Sequence, residues 1–221
     1  AVDEWSATST EWGVDIALSN DGNIIAVGEP FAETLRSEID PSIISFDQGR
    51  VSIYTKNKTT GLFELTQTLL SRGNEKVELF GSVVSFDNDV LAITAKNADS
   101  KDNTTFDSDN GIPQTTFDNN FTIFAKKYID TGVVYLYENI DGSLVYGQTL
   151  TYTNNDSTQA IANINELNSV KDFGLNLYTN NNHVYVGLPT QTIDTGTTGA
   201  IIDYRKLSTS NIWKVHSKPK N

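Results

Sequence analysis

The sequence predicts an all-β chain built from one repeated unit, and three observations carry that prediction. A segment that opens aromatic-Gly, alternates through one strand, turns on Asn or Asp and climbs a second apolar strand occurs three times. The copies are "WGVDIALSNDGNIIAVGEP" from Trp12, "FGSVVSFDNDVLAITAKN" from Phe80 and "FGLNLYTNNNHVYVGLPT" from Phe173. Downstream of each, a glycine is followed five residues later by tyrosine: "GRVSIY" (Gly49 to Tyr54), "GVVYLY" (Gly132 to Tyr137) and "GAIIDY" (Gly199 to Tyr204). A Gln-Thr-Leu at Gln67 to Leu69 recurs at Gln148 to Leu150. Self-similarity of this kind marks a repeat architecture, here three four-stranded antiparallel sheets.

Within each unit the first strand should be half-buried, because Val14, Ile16 and Leu18 fall on one face and Asp15, Ala17 and Ser19 on the other. The second strands, "NIIAVG" and "DVLAIT", are apolar on both faces, as strands inside a stack of sheets are. The Gly-x5-Tyr segment is the third strand. The fourth is "LFELTQTLL" at Leu62, "LVYGQTLTY" at Leu144 and "IWKVHS" at Ile212. Gly13, Gly81 and Gly174 head the first strands, where they let backbones approach closely.

The connections between second and third strands run 31–48, 97–131 and 190–198. The middle one is long for a compact domain, so part of "TTFDNNFTIFAKKYID" should form an extra strand or hairpin. Ile161, Ile164, Leu167 and Val170 stand at near-helical spacing after Ser157, which predicts a short helix or a packed linker within 155–172.

Composition excludes several function classes. With 16 basic and 28 acidic residues the net charge is −12, which repels nucleic-acid phosphates and anionic lipid surfaces. No cysteine is present, so disulfides, thiolate metal sites and cysteine nucleophiles are excluded by inventory. No stretch reaches the roughly 18 to 20 apolar residues that span a bilayer as a helix. The absence of methionine suggests a processed or cut piece of a longer chain.

The aromatic-Gly opening, the Gly28-Glu29-Pro30 and Gly187-Leu188-Pro189 ends of the second strands and the following Gly-x-Val-x-Φ-Tyr strand resemble the FG-GAP repeat. That repeat is the blade unit of integrin-α-type β-propellers and of related propellers in bacterial and viral surface proteins. The resemblance covers residues 12–216; Trp12-Gly13 is a conservative variant of the opening, and Thr94-Ala95-Lys96 departs from the Gly-Ala-Pro element. It implies an all-β, β-propeller-type fold with three four-stranded antiparallel blades. These are 1–79 with an N-terminal segment, 80–172 with the 97–131 insertion and a linker, and 173–221, together one propeller-type domain. Family members that bind calcium carry an acidic loop between strands one and two. Here those joints are "SNDGN", "DND" and "TNNNH", too poor in oxygens for such a site.

Candidate chemistry is sparse, and no catalytic, cofactor or metal residue is assigned. Asp102, Asp107 and Asp109 precede Gly111 at alternating spacing but lack a closing bidentate acid, so they read as a solvated acidic loop. His183 and His216 lie on separate strands of the third unit with no partner singled out, and read as surface imidazoles. Tyr54, Tyr137 and Tyr204 read as sheet packing rather than a sugar-stacking platform, and Trp5, Trp12 and Trp213 as contacts at unit ends. Asn57, Asn103, Asn120 and Asn155 head glycosylation sequons that matter only in a secretory pathway.

Propellers close with about four to eight blades. Three units therefore call for other protein subunits or further blades as partners, with apolar open faces on units one and three. The functional expectation is a non-catalytic structural or adhesion module on a virion or cell surface, binding protein or glycan, with no nucleic acid, no membrane insertion and no cofactor. The alternative is a polysaccharide-acting hydrolase or lyase, which needs two acids facing each other across a cleft.

Overall fold

The computed structural model describes residues 11–35, 44–45, 48–72, 78–98, 100–101, 127–128, 132–151, 172–189, 192–193, 196–197, 199–208 and 212–217. The chain is all-β: among these residues there is no helix, and three four-stranded antiparallel sheets form propeller-type blades. Blade 1 contains β1 (Ile16–Leu18) and β2 (Ile24–Glu29), then a two-residue ladder of β3 (Thr34–Leu35) and β4 (Ile44–Ser45), then β5 (Arg50–Lys56) and β6 (Phe63–Leu70). Blade 2 contains β7 (Phe80–Asp87), β8 (Val90–Ala95), the short pair β9 (Ser100–Lys101) and β10 (Lys127–Tyr128), then β11 (Val133–Ile140) and β12 (Ser143–Leu150). Blade 3 contains β13 (Leu177–Asn180), β14 (His183–Leu188), the short pair β15 (Thr192–Ile193) and β16 (Gly196–Thr197), then β17 (Ala200–Lys206) and β18 (Trp213–Ser217). In each blade the four long strands pair in chain order.

Turn chemistry fixes these registers. Asp141 and Gly142 between β11 and β12, and Asn181 and Asn182 between β13 and β14, all adopt positive φ, as the two-residue turns that match strand twist require. At the "SNDGN" joint the Asp21 carboxylate accepts hydrogen bonds from the Ser19 hydroxyl and the Asn23 amide, which hold its pKa below the usual carboxylate value. All three blades also share one irregularity: the register between third and fourth strands slips just before the repeated tyrosine, at Ile53/Tyr54, Leu136/Tyr137 and Asp203/Tyr204. The extra residues on the fourth strands are Thr66, Gly147 and His216.

Two apolar cores lie between the blades. Ile24, Ala26, Val51 and Ile53 of blade 1 meet Val84, Phe86, Leu91 and Ile93 of blade 2. Val90, Ala92, Val134 and Leu136 on the opposite face of blade 2 meet Val184, Val186, Ile202 and Tyr204 of blade 3. Alternation along β8 sends successive side chains into different cores, so all six of its residues are buried. The expected doubly buried second strand is therefore observed in the middle blade. Burial of Tyr137 and Tyr204 places them in these cores, as expected for sheet packing, and burial pushes the Tyr137 phenol well above its ordinary pKa.

One expectation is corrected. Along β1 and the residue that follows it the small face, Ala17 and Ser19, is buried, while Ile16 and Leu18 are 58% and 53% exposed. Alternation along the strand was legible, but blade 2 packs against the opposite face of blade 1. The long 97–131 connection does begin and end in a pairing, Lys127 with Lys101 and Tyr128 with Ser100. The segments 102–126 and 152–171, with the acidic loop, the helix expectation and three sequons, lie outside the described residues, as does Trp5.

The recurring glutamine has a structural cause. Gln67 Nε2 donates to the Leu144 carbonyl at 2.8 Å, and Leu144 N–H donates back to Gln67 Oε1 at 3.0 Å. One blade further on, Gln148 Nε2 donates to the Trp213 carbonyl at 3.0 Å, and Trp213 N–H donates back to Gln148 Oε1 at 2.8 Å. Each amide thus clamps the outer edge strand of the next blade with a two-bond latch. Gln148→Ala should lower stability by about 1 to 2 kcal/mol in urea titration, and Gln67→Ala by a similar amount. The two should add in the double variant, because they latch different interfaces.

Candidate functional site

The face that each blade offers to the next uses the same four positions. They are Ile24, Ala26, Val51 and Ile53 in blade 1, and Val90, Ala92, Val134 and Leu136 in blade 2. In blade 3 the matching residues are His183, Tyr185, Ile201 and Asp203, and the position of the latch glutamine is Ser217, opposite Asp203. Three apolar positions and the latch have become polar. This open face is therefore not the apolar surface expected for it, although Ile201 remains 51% exposed.

On this face β14 and β18 flank β17. His183 Nδ1 lies 2.8 Å from Asp203 Oδ1, and Asp203 is 6% exposed. A carboxylate only accepts, so Nδ1 carries the proton and the lone pair of neutral His183 sits on Nε2. The ring stacks on Tyr185 with centroids 5.8 Å apart and planes 10° from parallel, and Tyr185 stacks on Tyr178 at 6.3 Å. His216 meets His183 edge-on at 5.8 Å. It is the extra residue of the blade 3 bulge, which brings it beside the pair.

A cavity of about 600 Å³ opens here, lined by His183 and His216 together with Arg205, Lys206 and Lys214. Lys206 is held by Glu138 at 2.9 Å, whereas Arg205 and Lys214 are exposed. In a chain of net charge −12 this is a locally cationic pocket. Among the described residues, no group of three or more His, Cys, Asp or Glu could hold a metal ion. The arrangement can bind an anion and accept a proton at Nε2.

The two histidines read in the sequence as isolated surface groups are thus neighbours, and Asp203, not singled out there, orients one of them. The signal was available: aligning the three copies shows His183, Tyr185 and Asp203 standing where the second has Val90, Ala92 and Leu136.

No protein-family model matches the chain, and no curated protein matches it. Among solved structures, it is similar to a protein of Bacteroides fragilis provisionally named 6-phosphogluconolactonase. The identity is 10%, with 95% of this chain and 71% of that one covered and a TM-score of 0.26. A Bacteroides uniformis protein with the same provisional name is also 10% identical, with 98% and 74% covered and a TM-score of 0.27. Both are named for an enzyme. The expectation of a non-catalytic structural or adhesion module is corrected on that finding, while at this level of likeness the names assign no reaction to this chain.

Proposed function

We propose that the open face of blade 3 is the active site of a hydrolase acting on an anionic ester. The observation that carries this reading is the His183–Asp203 pair, which replaces apolar stacking positions and opens onto a cationic cavity. Neutral His183 takes a proton from water at Nε2 while the hydroxide adds to the ester carbonyl carbon. Asp203 stabilises the imidazolium that forms. Collapse of the tetrahedral adduct breaks the C–O bond, and the leaving alkoxide takes the proton back from His183. Arg205 and Lys214 attract the substrate's anionic group and the developing oxyanion. The polysaccharide alternative needs two facing acids, whereas here the buried acid faces a histidine.

The test is turnover of a panel of carboxylate- and phosphate-bearing aryl esters. His183→Gln should lower kcat/KM by roughly 100-fold or more, as loss of a general base does. Asp203→Asn should also lower it and leave KM largely unchanged, while Arg205→Ala should raise KM. Equal turnover by wild type and His183→Gln, or no turnover by wild type across the panel, refutes the reading.

A further inference from the structure

The open face of blade 1 carries the receiving half of an interface that the molecule already builds twice. Register equivalence places Ile16 and Leu18 where blade 2 has Val84 and Phe86. Val84 and Phe86 are 5% and 9% exposed because blade 1 covers them, yet Ile16 and Leu18 are 58% and 53% exposed. Leu65, opposite Tyr54, holds the position of Tyr146 and Val215, which pack into the two inter-blade cores, and it is 55% exposed. Phe63 pairs with Lys56 as Leu144 pairs with Asn139 and Trp213 with Lys206. Leu144 and Trp213 are the two backbone sites gripped by a glutamine of the preceding blade. Among the described residues no side chain grips Phe63.

We infer that this face docks a four-stranded antiparallel blade of a partner polypeptide. That blade presents apolar residues at the positions of Ile24, Ala26, Val51 and Ile53, and a fourth-strand glutamine that latches the Phe63 N–H and C=O. The occupant is specified by continuity with the two interfaces within the chain, where the same positions are filled in this way. A second copy of this chain does not supply it head-to-tail, because blade 3 has His183, Tyr185, Asp203 and Ser217 at the donating positions. The stack is thus directional: it accepts a blade at blade 1 and offers a polar face at blade 3. This inference stands apart from the hydrolase reading, and its test reads assembly rather than turnover.

Copying the blade 2 residues onto blade 3 turns the chain into its own probe. The variant His183→Val, Tyr185→Ala, Asp203→Leu, Ser217→Gln should assemble head-to-tail, giving multiples of the 24.3 kDa monomer mass in analytical ultracentrifugation. Adding Ile16→Lys and Leu18→Lys should reduce the assembled fraction roughly tenfold or more, since the apolar face would then have to bury two charges. A folded variant that stays monomeric, or assembly indifferent to the lysines, overturns the inference. So does a result independent of that variant's folding. In the wild-type background the two lysines should leave the melting temperature within about 2 °C of wild type, as substitutions on a face that packs against none of the described residues do. A large drop would mean that the chain covers this face itself.

Discussion

Gly49→Ala and Gly132→Ala should each destabilise the chain by about 3 kcal/mol or more, lowering the melting temperature by roughly 6 to 12 °C, whereas Gly199→Ala should cost only about 1 kcal/mol. All three glycines stand at the same point, just before a third strand, with φ of +83°, +82° and +68°. A side chain at any of them would be strained. What separates them is the next blade. A Cβ on Gly49 would lie 2.1 Å from the Phe80 carbonyl oxygen and 2.6 Å from the Phe80 nitrogen, and one on Gly132 would lie 2.4 Å from the Phe173 oxygen. These are backbone atoms, and Phe80 N–H is committed to the Gln48 carbonyl at 2.9 Å, so relief means parting the blades. At Gly199 the nearest atom is the Pro189 oxygen at 3.3 Å, within the same blade. Thermal and urea melts of the three variants check the ranking. Equal losses at all three would show that φ strain alone governs them, and that the close approach between blades costs nothing to disturb.

This contrast also explains how much of the fold the sequence displays. The glycine before the third strand and the aromatic-Gly before the next first strand recur together because they touch: Gly49 bridges to Phe80, and Gly132 abuts Phe173. A contact repeated at every interface constrains the same positions in every copy and so becomes visible as a motif. Gln67 and Gln148 recur for the same reason, although a glutamine written twice does not reveal that its amide grips backbone in the next blade. Which face of β1 is covered was not legible, because alternation is symmetric about the sheet until a neighbour is placed. The candidate site was hidden differently. His183 and Asp203 are 20 residues apart, and strand pairing alone makes them adjacent. The trace they leave is an exception to the repeat: polar residues at positions that are apolar in both other copies.

Phe173→Ala should cost about 3 to 5 kcal/mol and Phe80→Ala a similar amount, while Trp12→Ala should stay within about 0.5 kcal/mol of wild type. The three aromatics open equivalent copies, and their backbones sit alike. Gly13 N–H donates to the Gly28 carbonyl at 2.9 Å, as Gly174 N–H does to that of Gly187 at 3.1 Å. Their burial is opposite, with Phe80 and Phe173 at 0% exposed and Trp12 at 58%. Phe173 lies edge-on to Tyr204 with centroids 6.3 Å apart, and the Tyr204 hydroxyl donates to the Thr151 carbonyl at 2.9 Å; truncation would open a cavity beneath an anchored ring. Phe80 meets Tyr135 in the same manner at 5.6 Å. Trp12 differs only in having no preceding blade over it among the described residues. Its substitution should therefore matter only in a complex, where a blade docked on blade 1 would cover it. Differential scanning calorimetry of the isolated chain gives the first comparison. A loss at Trp12 matching that at Phe173 would contradict the idea that position in the stack, rather than position in the repeat, sets the energetic weight of each aromatic.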